Sequence, residues 1–373
     1  MNKKTILLPQ ASPGVSRAIS TFHYGRKGVG KKVYIQAGLH ADEAPGFVVA
    51  YHLKTLLDQA EVLGEIILVP AANPIGLGQW RDEQLQGRFN FADSINFNRS
   101  HLDLTEDVYE IVKDQLTDNE QENVALIRSA MQKALEKVRH EDEAEFLKKE
   151  LLAMAYDADI VLDLHCDYDA LLHIYMGTPL WETSKDLSAQ MGSPVTLLAT
   201  DSGGGPFDEA CSKVWWELAE KIEDKPIPFA CLSATIELRG IVNTDKDIAQ
   251  NDALNIFYFL QRRGIIAGDA PALPELINDA TPLAGVDYIK AEVPGVVSYL
   301  KKPGSMVKKG DVIAEIMNPL PQDGVPTVTE VKTKTDGLLF TCNVDKFARP
   351  GRILAKVTGT EPLRDEGEYL LTL

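Results

Sequence analysis

Cysteine is scarce in this chain, and the few that are present form no ordered pattern. The four residues, Cys166, Cys211, Cys231 and Cys342, include no CxxC pair. Spacing of this kind predicts no disulfide framework. Unpaired cysteines are typical of proteins in a reducing compartment, so the expected location is the cytoplasm.

Long apolar runs and an excess of positive charge are also missing. No apolar run approaches the roughly 20 residues that span a bilayer, and the apolar stretch near the N-terminus is too short for a signal peptide. Neither a membrane anchor nor export is therefore predicted. The chain has 38 basic and 55 acidic residues, for a net charge of −17. Such a surface repels polyanions, which argues against nucleic-acid binding.

Apolar strands alternate with helical patterns through most of the 373 residues. The composition, 45% hydrophobic and 25% charged, is typical of a globular protein, and the length favours one large and one smaller domain. A helix is predicted at 44–57, and strands are predicted at 33–38, 66–70, 159–164 and 234–238. Residues 1–286 are therefore predicted to form an α/β domain around a largely covered central sheet.

A charged segment at about 102–157 interrupts this alternation. Its apolar residues recur at intervals of three and four, which predicts two or three amphipathic helices. Charged helix faces are usually just solvated. The alternative is that this insertion lies over the edge of a pocket and limits the size of what binds there.

The sequence pattern changes at about Asp287, where short predicted strands separated by glycines replace the helical patterns. A segment that begins at Pro294 resembles one that begins at Asp336, which indicates an internal repeat. Residues 287–373 are therefore predicted to form a small sandwich or flattened barrel. The pattern resembles biotinyl/lipoyl-like domains, which carry a lysine at the tip between the two halves. The stretch from Met317 to Glu330 contains no lysine, so a structural role or contacts in a homo-oligomer are expected instead of a carrier function.

Two polar motifs follow predicted strands. His40 and Glu43 lie in a glycine-bracketed turn after the strand at 33–38, and His165 ends the strand at 159–164. The same His-x-x-Glu spacing recurs at His140 and Glu143 inside the charged helical segment, so the spacing alone is not diagnostic. Two histidines and one glutamate at strand ends are nevertheless a known catalytic zinc set that leaves a fourth position open for water.

Four other polar residues are candidates for the site. One lies in an apolar strand, where burial of its charge costs free energy, and the other three follow a turn, where they could bind a substrate. Glu237 interrupts an apolar strand pattern, and a buried unpaired carboxylate is unfavourable. It either pairs with a basic neighbour such as Arg239 or acts as a general base beside a metal. Arg88, Asn98 and Arg99 follow a turn, and an arginine there could bind a carboxylate or stabilise an oxyanion.

Taken in order, His-x-x-Glu, Asn-Pro-x-Gly, Asn-Arg, strand-His and Thr-x-Glu resemble the succinylglutamate desuccinylase/aspartoacylase family over roughly 30–260. That family is a branch of the zinc carboxypeptidase fold. The resemblance implies one Zn²⁺ per chain, held by His40, Glu43 and His165, with Glu237 as general base and proton shuttle, Arg88 at the oxyanion, and Asn98 and Arg99 at the substrate carboxylate.

One position departs from the family pattern. The family usually has Asp-x-Asn-Arg, in which the aspartate supports the first zinc histidine, but here the residue is Asn96. An amide oxygen can accept a hydrogen bond from imidazole, yet it brings no charge that would make the ligand more basic. Asp93 is a candidate for supplying that charge.

The expected activity is hydrolysis of the amide bond in a small N-acyl amino acid. A zinc carboxypeptidase that acts on peptides uses the same metal set, and the depth of the pocket distinguishes the two, since an enclosed pocket favours small substrates. A non-catalytic binding or scaffold protein built around the C-terminal strands is the remaining alternative.

Overall fold

The structure, a computed structural model, describes residues 1–320, 324–365 and 369–371. Its first twelve strands are β1 (Asn2–Leu7), β2 (Ala18–Gly25), β3 (Lys32–Ala37), β4 (Glu65–Val69), β5 (Trp80–Arg81), β6 (Gln84–Leu85), β7 (Ile160–Asp167), β8 (Asp169–Ala170), β9 (His173–Gly177), β10 (Val195–Ala199), β11 (Leu232–Gly240) and β12 (Thr281–Pro282). Nine of them form one mixed sheet in the order β1-β2-β4-β3-β7-β11-β9-β10-β12, and β5 pairs with β6 as a hairpin. The four strands predicted from the apolar runs are β3, β4, β7 and β11.

The direction of the central strands determines where polar residues collect. β3 runs parallel to both β4 and β7, and β11 runs parallel to β7. The carboxyl ends of β3, β7 and β11 therefore lie at one edge of the sheet, where α/β proteins usually place their sites. β9 runs antiparallel to β11 and returns the chain across the sheet.

Helices cover both faces of this sheet, as the apolar strands predict. They are α1 (Ala44–Leu57), α2 (Thr105–Val112), α3 (Glu120–Lys137), α4 (Glu143–Ala155), α5 (Trp181–Met191), α6 (Phe207–Lys221) and α7 (Lys246–Arg262). Alternate side chains of β3 belong to different cores. Val33 and Ile35 pack with α1, α5 and α7, whereas Tyr34 packs with α2, α3, α4 and α6. Within the described residues, no helix combines the length and the apolar character needed to cross a bilayer.

The charged segment at 102–157 contains α2, α3 and α4. The side chain of Asn119 accepts hydrogen bonds from the first turn of α3, and the side chain of Asp142 does the same for α4. Such caps satisfy amides that have no partner inside the helix. The three helices bury their apolar faces in the core on one face of the central sheet, which confirms the prediction of two or three amphipathic helices.

Eight further strands follow: β13 (Asp287–Lys290), β14 (Gly295–Tyr299), β15 (Met306–Val307), β16 (Val312–Asn318), β17 (Thr327–Lys332), β18 (Gly337–Cys342), β19 (Phe347–Ala348) and β20 (Ile353–Val357). They form two sheets, in the orders β13-β20-β18-β15 and β17-β16-β14-β19. The predicted internal repeat corresponds to two strand pairs, β14 with β16 and β18 with β20. The predicted lysine-free tip includes 321–323, which lie outside the described residues.

The two parts of the chain share a strand. β8, from the earlier part, pairs with β18 through the partners Ala170 and Thr341. The separation into domains at 286 and 287 stays a prediction, and this pairing holds β18 next to the carboxyl end of β7.

Candidate active site

Three polar side chains converge at the carboxyl edge of the central sheet. His40 lies three residues beyond β3, Glu43 immediately precedes α1, and His165 lies near the end of β7. Their candidate ligand atoms all lie within 4.8 Å of one another, and all three residues are buried. Gly38 makes the turn out of β3 possible, because its φ of +70° is one that residues with a Cβ rarely adopt.

The carboxylate of Glu43 lies between the two imidazoles. Its Oε1 is 2.9 Å from Nδ1 of His40, and its Oε2 is 2.9 Å from Nδ1 of His165. The backbone N–H of Cys166 donates to the same Oε2. Both Nδ1 atoms therefore face one shared point, which is the arrangement required of two ligands of one ion.

The opposite nitrogen of each imidazole faces an oxygen. Nε2 of His40 donates to Oδ1 of Asn96 at 2.7 Å, and Nε2 of His165 lies 3.0 Å from Oδ2 of Asp163. Because an amide oxygen can only accept, Asn96 keeps the His40 proton on Nε2 and leaves the Nδ1 lone pair free for a ligand role. Two imidazoles and a carboxylate presented in this way fit a zinc ion.

Asp93 does not take the place of the missing aspartate. Its carboxylate accepts hydrogen bonds from the side chain of Asn90 and the backbone of Ile95 within its own turn. The prediction that Asp93 supplies charge to His40 is therefore wrong, and Asn96 alone bonds to Nε2 of that ring.

Burial and neighbouring charges act differently on the two histidines. Burial, followed by repulsion from Arg88, lowers the pKa of His40 to about 4, so this ring is neutral as a metal ligand must be. Burial also opposes protonation of His165, but the carboxylates of Asp163 and Glu43 outweigh it and raise the pKa of that ring. A metal ion would displace this proton.

Glu237 lies beside the cluster on the neighbouring strand. It is in register with His165 on β7, and its Oε2 is buried with no hydrogen-bond partner within the described residues. Burial, followed by repulsion from Glu43, raises the pKa of Glu237 to about 8. A carboxyl group that titrates near neutral pH is suited to accept and return a proton.

The alternative pairing of Glu237 with Arg239 is wrong. Arg239 donates to both carboxylate oxygens of Asp252 on α7, at 2.7 and 3.2 Å. The pairing of β11 with β7 shifts between Glu237 and Gly240, and Arg239 has a φ of +67°. An irregularity of this kind turns neighbouring side chains in different directions, which separates Arg239 from Glu237.

Arg88 reaches the cluster from the loop after β6. Its guanidinium donates to Oε1 of Glu43, and its backbone carbonyl accepts the N–H of Phe97. Desolvation opposes its charge, but the carboxylates of Glu43 and Asp42 outweigh that effect and raise its pKa. Arg88 is therefore a fixed cation beside His40, Glu43 and His165.

Asn98 and Arg99 lie on a second side of the same pocket. Oδ1 of Asn98 accepts the backbone N–H of Phe207, so part of this amide anchors the start of α6. Arg99 donates to the carbonyl of Asn98 and packs against Gly204, where a Cβ would lie 2.9 Å from Arg99 Cδ. The sequence does not indicate this anchoring role of Asn98.

The pocket has a volume of about 340 Å³ and is bounded by parts of the chain that are distant in sequence. Six predicted site residues line it: His40, Arg88, Asn98, Arg99, His165 and Glu237. None of the described residues that line the pocket comes from 102–157, which argues against the alternative that the helical insertion limits the size of what binds there. Side chains from the C-terminal part of the chain line it instead, among them Tyr288, Arg352, Lys356 and Leu371.

Lys356 is a site residue that the sequence reasoning missed. It is 9% exposed, and its Nζ lies 2.5 Å from Oδ2 of Asp167, two residues after His165. This ion pair joins β20 to the end of β7. The available signal is a lysine inside an otherwise apolar strand, between Ala355 and Val357.

Comparison with known proteins identifies the family of this chain. The model of the succinylglutamate desuccinylase/aspartoacylase catalytic domain matches residues 29–261, which is more than half of the chain. A family protein of this type from Shewanella amazonensis is 28% identical, with a TM-score of 0.83 over 96% of this chain and 98% of that one. A protein described as a succinylglutamate desuccinylase/aspartoacylase from Shewanella frigidimarina is 26% identical, with a TM-score of 0.84 over 97% and 98%.

A more distant structure has the same fold. The product-bound ectoine utilization protein EutE (DoeB) from Ruegeria pomeroyi is 18% identical, with a TM-score of 0.65 over 96% of this chain and 95% of that one. No curated protein matches the chain. The family-model match and the two Shewanella structures together show that this chain belongs to the succinylglutamate desuccinylase/aspartoacylase family.

Proposed function

We propose that this protein is a zinc-dependent amidohydrolase that removes the acyl group from a small N-acyl amino acid. The observation that carries the proposal is the convergence of His40, Glu43 and His165 on one point, with Glu237 and Arg88 beside it. Membership of a deacylase family supports the same reaction. We propose one zinc ion per chain, with these three residues as its ligands.

The role of the ion is electrophilic, and the chain supplies the remaining chemistry. A zinc ion at such a site polarises a carbonyl and lowers the pKa of a water molecule. Glu237 takes one proton from the attacking water as its oxygen bonds to the acyl carbon. Glu237 then delivers that proton to the amide nitrogen as the carbon–nitrogen bond breaks, which yields a carboxylic acid and an amine.

The arginines have separate parts in this proposal. Arg88 stabilises the negative charge that develops on the acyl oxygen, since its guanidinium is already fixed beside Glu43. Arg99 and the amide of Asn98 bind the substrate carboxylate and so hold the scissile bond beside Glu237.

The walls of the pocket favour a small substrate over a peptide. The central sheet forms one wall, the start of α6 forms another, and described side chains beyond Asp287, such as Tyr288 and Lys356, form a third. A carboxypeptidase that accepts long peptides needs a groove open to the chain on the acyl side. We propose that residues 287–373 are a small biotinyl/lipoyl-like β domain whose role here is to complete the pocket of a carboxypeptidase-like domain.

The test is amine release from a panel of N-acyl amino acids, measured with the zinc-loaded protein before and after a chelator. His40→Ala is the active-site variant, and His140→Ala is its matched control, because His140 is an exposed histidine with the same His-x-x-Glu spacing. We expect chelator-sensitive release that His140→Ala keeps and His40→Ala loses. Release that survives both the chelator and His40→Ala would refute the metal-dependent reaction.

A further inference from the structure

The part of the pocket that lies beyond Glu237 is apolar. Four pocket-lining side chains there, Leu197, Ala199, Leu283 and Leu371, belong to one hydrophobic cluster or pack against it. The rings of Tyr175 and Tyr288 belong to the same group. We call these six residues the apolar wall.

Strand register explains why the apolar wall is continuous with the site. Thr235, two residues before Glu237 and on the same face of β11, is in register with Tyr175 of β9. Tyr175 is in turn in register with Leu197 of β10. Side chains directly opposite on neighbouring strands share one face of a sheet, so the wall runs sideways from the general base towards the sheet edge.

A clamp fixes the outer part of the wall. The guanidinium of Arg364 donates to the carbonyls of Leu283 and Leu370, at 3.0 and 2.8 Å, and stacks over the ring of Tyr288. The backbone N–H of Leu370 donates to the carbonyl of Ser202. These bonds hold Leu371 at the pocket in a defined position.

Two neighbouring cations have carboxylate partners, while Arg99 and Arg349 also line the pocket. Lys356 is paired with Asp167, and Arg352 lies 2.8 Å from the carboxylate of Asp345. The apolar wall itself contributes no charged group. Such a surface gains free energy by covering an apolar group and would desolvate a charged one without compensation.

We propose that the apolar wall is a specificity subsite for an apolar group of the substrate. This inference rests on the proposed function and narrows it, because it excludes acetylated or dicarboxylic substrates as the preferred ones. The apolar group is either a hydrocarbon acyl chain or the side chain of an apolar amino acid, and both present the same chemistry to the wall.

Two substrate series distinguish these sources. In the first, the amino acid is constant and the acyl group lengthens from acetyl to hexanoyl. In the second, the acyl group is constant and the amino acid changes from glycine to alanine, valine and leucine. Each buried methylene should raise kcat/KM about fourfold in the series that reaches the wall. A flat or falling kcat/KM in both series would overturn the subsite.

Substitutions in the apolar wall test whether the gain in kcat/KM with substrate length arises there. Ala199→Phe should fill the subsite and abolish the gain in kcat/KM for long substrates. Leu371→Asp should reduce that gain by placing a charge in the wall. Leu363→Asp is the matched control, because Leu363 is 43% exposed and does not line the pocket. An equal loss of the gain in the control would contradict the assignment.

A binding measurement keeps this inference separate from the proposed reaction. The metal-free protein is titrated with carboxylates from acetate to octanoate, and the shift in Tm is recorded. A stabilisation that grows with chain length in the wild type and is lost in Ala199→Phe supports the subsite even if no substrate is hydrolysed. Stabilisation that is independent of chain length would refute it, whatever the fate of the amidohydrolase proposal.

Discussion

Replacement of Glu237 by glutamine separates the chemistry of this carboxyl group from its place in the fold. Glutamine has nearly the same shape, and Oε2 of Glu237 has no hydrogen-bond partner within the described residues that the change would remove. Loss of a general base typically lowers a rate by about 10²–10⁴. We expect kcat/KM to fall by that factor while the zinc content stays at the wild-type value.

The same variant should unfold less readily than the wild type at alkaline pH when both are metal-free. The pKa of Glu237 is about 8 in the folded protein, against an ordinary 4.5. Its carboxyl group is therefore harder to ionise in the folded chain, and the wild type loses stability as pH rises from about 4.5 to about 8. Glutamine does not titrate, so the variant escapes this loss.

The size of the effect follows from the two pKa values. At about 1.4 kcal/mol per pKa unit, their difference sets an upper limit of about 5 kcal/mol, and a gain of a few kcal/mol at about pH 8 is expected. At about pH 4 the gain should vanish, because the carboxyl group is then protonated in both the folded and the unfolded chain.

Urea unfolding of the metal-free proteins at several pH values measures this gain. All other titrating groups are common to the two proteins, so they largely cancel in the difference between the free energies of unfolding. Glu220→Gln, at an exposed position on α6, is the matched control and should give no pH-dependent difference. A gain for Glu237→Gln that is the same at every pH would refute the reasoning, and near-normal activity would remove Glu237 from the mechanism.

Three further changes test the surroundings of the site. Lys356→Met should lower the free energy of unfolding by about 3–5 kcal/mol, because it leaves the buried carboxylate of Asp167 unpaired, and the added change Asp167→Leu should recover part of that loss in the same urea measurement. Asn96→Leu should weaken zinc binding about 10–100-fold in a competition titration, because it removes the acceptor for Nε2 of His40, and unchanged affinity would contradict that role. Arg88→Ala should lower kcat about 10²–10³-fold with a smaller effect on KM, and a change confined to KM would assign Arg88 to substrate binding instead.

The sequence predicts the site residues whose positions depend only on the strands next to them. His40 and Glu43 follow a strand closely, and His165 lies near the end of another, so their approach needs only that the two strands be parallel neighbours. The register of Gln36 with Asp163, near the ends of β3 and β7, supplies this arrangement. The apolar runs predict the buried strands because burial of both faces demands such composition.

Ion-pair partners that depend on the direction of a side chain could not be predicted from the sequence. Glu237 and Arg239 are two residues apart on β11. Their spacing in the sequence allows an ion pair between them, and it also allows Glu237 to remain unpaired. The irregularity before Gly240 directs Arg239 to Asp252, and within the described residues Oε2 of Glu237 is left without a hydrogen-bond partner beside His165. A shift of strand register of this kind cannot be predicted from a single sequence.

The sequence by itself determined the chemistry of this protein: an ordered set of imidazoles and carboxylates at strand ends, in a covered α/β sheet, together with the family that has this order. Only the tertiary structure decided what surrounds that chemistry. The helices at 102–157 pack in the core on one face of the sheet, away from the pocket, whereas Lys356 and Leu371 reach the pocket from roughly 200 residues beyond His165. The physical reason is that donor spacing is encoded within short segments, while the walls of a pocket arise from long-range pairing, such as that of β8 with β18, which no local pattern reports.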